Sequence, residues 1–254
     1  MKISIITATY NSISFLKDCI KSVDFQNYKN VEHIIIDGGS TDGTISLLNS
    51  KRELFKVIVS EPDKGMYDAM NKGINLATGD VIGFLNSDDF YATNDVLSSV
   101  AKIFSKNKLY EACYSDLVYT KQTDTNKNIR YWKSCKFQAG LFSKGWCPPH
   151  PTFFIRSLIF KKFGIFNLKY HIASDVELMM RYLEVHRINT CYVPELWVKM
   201  RLGGTTNKNI KNILLQNKEV LSALKSHNLS YNWIIFFINK IISRLIQRFQ
   251  KPPK

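Results

Sequence analysis

The chain has 254 residues and is 45% hydrophobic, so it can bury a full core, which excludes a peptide too small or too polar to fold alone and fits one large α/β domain with or without an appendage. Its five cysteines form no C-x-x-C pair, and no apolar run reaches the ~20 residues that span a bilayer, so a disulfide scaffold and a membrane-spanning helix are both excluded as expectations. Net charge is +14, but from Arg201 to Lys254 ten Lys and Arg face the single acid Glu219, so most of the charge belongs to the tail.

From the N-terminus, MKISIITATY enters an alternating, β-branched strand over Lys2 to Thr9, with no room for a secretory leader. Asn11 and Ser12 are placed to cap a helix from Ile13 to Asp24. A buried strand follows over Val31 to Ile36, then the turn GGSTDGT, a helix from Ile45, a strand over Phe55 to Ser60, a helix over Met66 to Leu76 and a strand over Val81 to Leu85. The first ~100 residues thus read as βαβαβαβ, a parallel sheet with crossover helices.

Beyond this the pattern predicts antiparallel strands over Ala112 to Thr120 and Ile129 to Trp132 and a proline-interrupted segment GWCPPHP. It then predicts a strand over Thr152 to Arg156, a helix over Leu158 to Phe163, a helix over Ser174 to Val185 capped by Ser174, and a last short strand over Thr190 to Val193. Tyr231 to Gln250 reads as an amphipathic helix. Ile234, Ile235, Phe237, Ile238, Ile241, Ile242, Leu245 and Phe249 form one stripe, opposed by Lys240, Arg244, Gln247, Arg248 and Lys251. An apolar stripe against a purely basic one is the pattern of a helix lying in a membrane interface. Docking on the core or on a second subunit is the other reading, so a homodimer stays open.

Carboxylates gather where strands meet loops, the place where open α/β sheets bind ligands. Asp37 ends a buried strand before two glycines, and could accept from a base or ribose. Asn86-Ser87-Asp88-Asp89 follows the strand VIGFL, and paired carboxylates there suit Mg²⁺ or Mn²⁺ with phosphate oxygens completing the shell. Lys64 offers a cation for a diphosphate, or is merely solvated. Trp146 and His150, in a rigid segment, suit a sugar ring. Asp175 opens a helix with Glu177 and Arg181 beyond it, and is either a general base or an ordinary first-turn acid with a partner one turn on. Arg201 to Thr205 could close over phosphate or form a plain turn.

As an ordered set, SIITATYN, IIIDGGSTDGT, SEPDKGMYDAMNKG, FLNSDD, the proline-flanked His150 and SDVELMMR resemble the family 2 glycosyltransferases, inverting enzymes of the GT-A fold, and within them the bacterial enzymes of O-antigen and other surface polysaccharides. The resemblance spans about Lys2 to Thr205. It implies a GT-A domain over 1–205, with a nucleotide-binding half over 1–100 and an acceptor half over 101–205, followed by a basic helical extension over 206–254. By position it implies that Thr7, Thr9, Tyr10, Asn11, Asp37, Lys64, Asn86, Ser87 and Asp88 bind the nucleotide-sugar. Asp88 and Asp89 would take Mn²⁺ or Mg²⁺, Asp175 would be the catalytic base, and Trp146, His150, Glu177 and Arg181 would meet the acceptor. Asn86 stands where many relatives carry the first Asp of a D-x-D motif. The Q-x-x-R-W motif of processive relatives is absent, which implies a single transfer.

The resulting expectation is a UDP-hexose donor, a sugar on a polyprenyl diphosphate as acceptor, a β-linked product and a peripheral place on the inner face of the cytoplasmic membrane. A nucleotidyltransferase would need a basic triphosphate loop after the first strand, and TATYNS has none. A nucleic-acid-binding protein is disfavoured because the sheet loops are acidic and the positive charge sits on the terminal helix.

Overall fold

The computed structural model describes residues 1–203 and 210–252. The first half follows the sequence closely. Strands β1 (Ile3–Thr9), β2 (Val31–Asp37), β3 (Val57–Ser60) and β4 (Val81–Phe84) are parallel in the order β3-β2-β1-β4. Helices α1 (Ile13–Asp24), α2 (Thr44–Asn49) and α3 (Met66–Leu76) make the crossovers. Leu16, Cys19, Ile20 and Val23 of α1 and Met70 and Ile74 of α3 are buried at the spacing of one helical face. Register aligns Thr9 with Asp37 and Asp37 with Ser60, so the carboxyl ends of three strands share one row.

Past β4 the sheet turns mixed. A two-residue strand β5 (Phe90–Tyr91) is followed by α4 (Val96–Lys106), β6 (Ala112–Thr120), β7 (Asn128–Trp132), β8 (Phe154–Arg156), α5 (Ser157–Phe163), α6 (Ser174–Met180) and β9 (Thr190–Arg201). The order continues β4-β8-β6-β9-β5, with β7 paired antiparallel to β6 as expected. The last strand is three times the expected length. Pro194 and Glu195 interrupt its apolar alternation, which reads as a strand end; the ladder to β6 instead shifts register at Asp116 and resumes to Arg201. That extension pairs with β5 and carries Arg201 back to the acidic loop after β4.

Two core layers flank the sheet, and the second helical layer holds the surprise. Helix α7 (Ile210–Ser226), inside the extension expected to be helical but given no bounds from the sequence, contributes Val220, Ala223 and Leu224 to the core shared with α3 and α6. Helix α8 (Trp233–Phe249) seats Phe236, 1% exposed, on the same core. A Cβ at Gly145 would lie 2.8 Å from the carbonyl oxygen of Phe236, so that glycine, at φ +82°, lets α8 press onto the loop before the prolines. The 206–254 extension is therefore packed on the body over its described residues. The orientation of α8 refines the expectation: Lys240, Arg244 and Gln247 turn toward the body, while Ile238, Ile241, Ile242, Leu245, Ile246 and Phe249 (85% exposed) turn outward. No helix among the described residues is long and apolar enough to cross a membrane.

Candidate active site

A cavity of about 730 Å³ opens where the ends of β1 and β4, the loop before α3, the start of α6, β7 and α8 converge. At one end the walls are Thr9, Tyr10, Asn11, Asp63, Asn86, Ser87 and Asp88. Asn11 takes φ +47° and its side-chain oxygen accepts from the Thr41 amide at 2.9 Å, locking the turns after β1 and β2 together. The Ser87 and Ser12 hydroxyls are 2.9 Å apart. Asp63 accepts from the Gly65 amide at 2.7 Å through Oδ1, and its Oδ2 lies where a side chain on Gly38 would be. Residue 38 must be glycine for the Asp63 carboxylate to lie there, a pairing that only the fold reveals.

Several expected ligand-binding residues are used elsewhere. The Thr7 hydroxyl is buried against His33 Nε2 at 3.0 Å and does not reach the cavity, because odd positions of β1 before Thr9 face the α1 layer. Asp37 is fully buried and accepts from the Gly39 and Ser40 amides, both at 2.9 Å, and from the Ser40 and Ser60 hydroxyls. Three of these donors meet Oδ2 and one meets Oδ1, so Asp37 braces the 38–43 turn; it is outside the cavity lining, where Asp63 stands instead. Lys64 is exposed and outside the lining.

The acidic pair divides its work. Asp89 is fully buried and accepts from the Asn86 side-chain amide at 2.8 Å and the Arg201 amide at 3.2 Å. Burial and the neighbouring Asp88 push its carboxyl well above the usual range. This spends Asp89 on structure and removes it from the cavity wall. Asp88 lines the cavity, accepts from no other residue among those described, and is raised by burial. Arg201 braces the loop by donating from Nη1 to the Asp88 carbonyl at 2.6 Å and pairing with Asp18. No cluster of three His, Cys, Asp or Glu side chains suited to an ion exists among the described residues. A single partly buried carboxylate fits Mn²⁺ or Mg²⁺, hard ions that take one or two protein carboxylates and fill the remaining sites with phosphate oxygens.

At the other end stands Asp175, in the first turn of α6 and on the cavity wall, accepting from the Tyr67 phenol at 2.8 Å. The turn before it is held by Glu219 of α7, whose carboxylate accepts from the amides of His171, Ile172 and Ala173, each at 2.9 Å. Ser174 does not cap the helix; its hydroxyl donates to the Asn167 carbonyl at 2.9 Å. Trp146 and His150 line the cavity, the latter stacked on Phe84 with its pKa lowered by burial. Glu177 and Arg181 do not. They pair with each other at 2.9 Å, Glu177 also meets His227 at 2.8 Å, and Arg181 donates to the carbonyls of Phe163 and Ile165. Their helical positions, two and six beyond Asp175, turn them from the cavity into a buried ion-pair network.

Among the described residues, Thr9 Oγ1, Arg130 Nε, Trp146 Nε1, His150 Nε2, Arg201 Nε and Gln216 Oε1 are buried with no hydrogen-bond partner, and all six residues line this one cavity. Orphaned buried polar atoms are rare and costly, so their convergence marks a cavity built for a polar ligand. Arg130, Gln216, Lys240 and Arg244 lay beyond sequence reasoning, since the helices and hairpin that carry them are remote from the acidic loops. The Gly204-Thr205 part of the proposed phosphate loop lies outside the described residues.

The glycosyl transferase family 2 model matches residues 4–166, from the second residue of β1 through β8, a stretch that includes Thr9, Tyr10, Asn11, Asp63, Asn86, Ser87 and Asp88 of the cavity wall. A PGL/p-HBAD biosynthesis glycosyltransferase of Mycobacterium bovis is 30% identical over 249 residues, covering 95% of this chain and 92% of that protein. An uncharacterized glycosyltransferase of Haemophilus influenzae is 37% identical over 138 residues, covering 51% and 55%. Among solved structures, S. aureus TarS 1–349 in complex with UDP-GlcNAc superposes with a TM-score of 0.70 at 17% identity, covering 96% of this chain and 73% of that one. Mannosyltransferase PcManGT from Pyrobaculum calidifontis, in complex with GDP-Man and Mn²⁺, does so at 0.64 and 15%, covering 95% and 73%. The mixed sheet and flanking helices are those of the GT-A glycosyltransferases, and the chain belongs to glycosyl transferase family 2.

Proposed function

We propose that this glycosyltransferase moves a hexose from a UDP-sugar to a saccharide carried on a lipid diphosphate, once per encounter and with inversion to a β-linkage. The carrying observation is that Asp88 and Asp175 stand on the wall of one cavity that also holds six buried polar atoms without a partner among the described residues. Thr9, Tyr10, Asn11 and Asp63 would receive the nucleoside, and Asn86, Ser87 and Asp88 the diphosphate. Asp88 would hold Mn²⁺ or Mg²⁺, which supplies charge neutralisation for the departing diphosphate.

Asp175 would take the proton of the acceptor hydroxyl. The freed oxygen then bonds to the anomeric carbon as the bond from that carbon to the diphosphate oxygen breaks, and UDP leaves with the electron pair. The proton on Asp175 returns to solvent. Tyr67 fixes the carboxylate, and burial raises its phenol well above the usual range, so it stays a donor at neutral pH. Trp146 and His150 would offer the flat wall for the acceptor sugar. The complexes with UDP-GlcNAc and GDP-Man support a nucleotide-sugar donor, and the PGL/p-HBAD biosynthesis glycosyltransferase of Mycobacterium bovis supports a biosynthetic transfer. The outward apolar stripe of α8 supports attachment to the inner face of the cytoplasmic membrane.

The test is nucleotide release with Mn²⁺ from a panel of UDP- and GDP-sugars, with and without a GlcNAc- or GalNAc-diphosphate-lipid. Acceptor-dependent UDP release that disappears in Asp175→Asn is the expected result. Release unaffected by that substitution would overturn the assignment of the base.

A further inference from the structure

The cavity is acidic at its nucleotide end and basic under α8. Lys240 and Arg244, one turn apart on the inward face of that helix, and Arg130 and Lys133, on or just beyond β7, all line it. None of the four forms an ion pair with a carboxylate among the described residues. Lys240 donates to the neutral Asn217 side chain at 2.6 Å and lies 5.4 Å from the centre of the Phe236 ring. The Arg130 guanidinium lies 4.0 Å from the centre of the Tyr119 ring, and its Nε is an orphaned buried donor. Packing like charges together under partial burial is unfavourable unless an anion joins them. Arg130 is close enough to Arg244, and Arg244 to Lys240, that each lowers the next one's proton affinity.

This arrangement differs from a basic helix lying on a charged surface, because two of its cations face the interior. The same helix carries its large aliphatic side chains outward on the opposite face. An anion reaching these cations while joined to an apolar chain would place the chain along α8 and the anion inside. The site also adjoins the proposed base: the Cys147 thiol feels both Asp175 and the Lys240–Arg244 pair.

Building on the glycosyltransferase reading, we propose that Lys240, Arg244 and Arg130 form a binding site for the phosphate or diphosphate ester of the lipid-linked acceptor, distinct from the donor diphosphate site at Asp88. The inward cations select an acceptor that is both anionic and lipid-borne, and hold its sugar toward Asp175.

The experiment uses the full chain, Lys240→Ala/Arg244→Ala, the charge-conserving Lys240→Arg/Arg244→Lys and Arg130→Gln. Each is floated with phosphatidylcholine vesicles that are neutral, that contain undecaprenyl phosphate, or that contain phosphatidylglycerol at equal negative charge. UDP affinity with Mn²⁺ is measured in parallel by calorimetry. The wild type is expected to prefer undecaprenyl phosphate over phosphatidylglycerol. The preference should fall by roughly tenfold per cation removed, as for a lost charge-assisted hydrogen bond, persist in the charge-conserving variant, and weaken in Arg130→Gln, with UDP affinity unchanged. Equal binding to the two anionic vesicles would overturn the proposal in favour of plain surface charge. Equal loss of UDP affinity in the alanine variant would reassign the cations to the donor. Failure of the wild type to bind UDP at all would instead strike the glycosyltransferase reading, a separate outcome. Thermal unfolding of the charge-conserving variant and Arg130→Gln guards against a folding defect in the alanine pair, because Arg130 lies on another element.

Discussion

The phenol of Tyr67, at the start of α3, donates to Asp175 Oδ1 across 2.8 Å, joining the βαβαβαβ half of the chain to the start of α6 at the proposed base. The same hydroxyl lies 3.0 Å from the Ile172 carbonyl, which shares or competes for its single proton just before α6. Asp175→Asn is expected to lower kcat by roughly 10²–10⁴, the usual range for a general base, with UDP affinity retained. Tyr67→Phe should lower kcat by about tenfold at unchanged KM, since orientation is lost but the base remains. Steady-state kinetics and UDP calorimetry on both variants check this; a Tyr67→Phe enzyme with full kcat would remove the positioning role.

Glu219 is the one acid in a strongly basic segment, and it satisfies three consecutive amides before α6. Glu219→Gln should leave at least one buried amide unsatisfied and destabilise the fold by about 2 kcal/mol. Urea unfolding measures that change. Activity should fall more than stability alone predicts, because the turn carrying Asp175 loosens.

Asp88 and Asp89 should separate in their responses. Asp88→Asn is expected to abolish Mn²⁺-enhanced UDP binding with little loss of stability. Asp89→Asn should unfold at lower temperature, since it trades an acceptor oxygen for a donor against the Asn86 amide or the Arg201 amide. The pH dependence follows from burial. Both folded carboxyls are raised, so the native state holds more protons than the unfolded chain as pH climbs past the ordinary carboxylate range. Metal-free stability should therefore fall with rising pH through that window, and Mn²⁺ with UDP should reverse the fall. Differential scanning calorimetry over that window decides it; a flat metal-free profile would contradict the burial.

Lys240 gives a second pH signature. Burial and the charge of Arg244 lower it to about 8, opposed by Cys147, with Asn217 of α7 as its neutral partner. In the free enzyme the ammonium is lost as pH rises through that value, so retention on undecaprenyl phosphate vesicles should decline above about pH 8. Lys240→Arg should flatten the decline, because a guanidinium stays charged.

Outward residues of α8 should govern attachment without touching the fold. Ile238→Ser/Ile242→Ser/Leu245→Ser removes three half-exposed aliphatic side chains. At about 1 kcal/mol for each partly buried chain, vesicle affinity should drop by roughly a hundredfold while the unfolding temperature holds. Sedimentation distinguishes the homodimer reading: a wild-type dimer that the variant dissolves into monomers would place a second copy, and not a bilayer, on this face.

The sequence by itself determined the βαβαβαβ half. Its strands are short buried runs, its helices carry apolar residues at one-face spacing, and its turns fall at Gly, Ser and Asp clusters. The ordered motifs carried the family as well, and singled out Asp88, Asp175, Trp146 and His150, all of which line the cavity. Only the tertiary structure decided which acids face the cavity. Asp37 and Asp89 look as available as Asp88 in sequence, yet they are buried off the cavity wall, Asp37 held by the turn amides and by Ser60, and Asp89 by Asn86 and Arg201; Ser60 and Arg201 are brought there by the sheet. Glu177 and Arg181 went to structure for the same reason, once His227 of the chain after α7 arrived beside them. The orientation of α8 was likewise beyond local pattern. Its two stripes were legible, but which one meets the body depended on Gly145 admitting Phe236 and on a cavity that takes the cations, both contacts between segments about ninety residues apart.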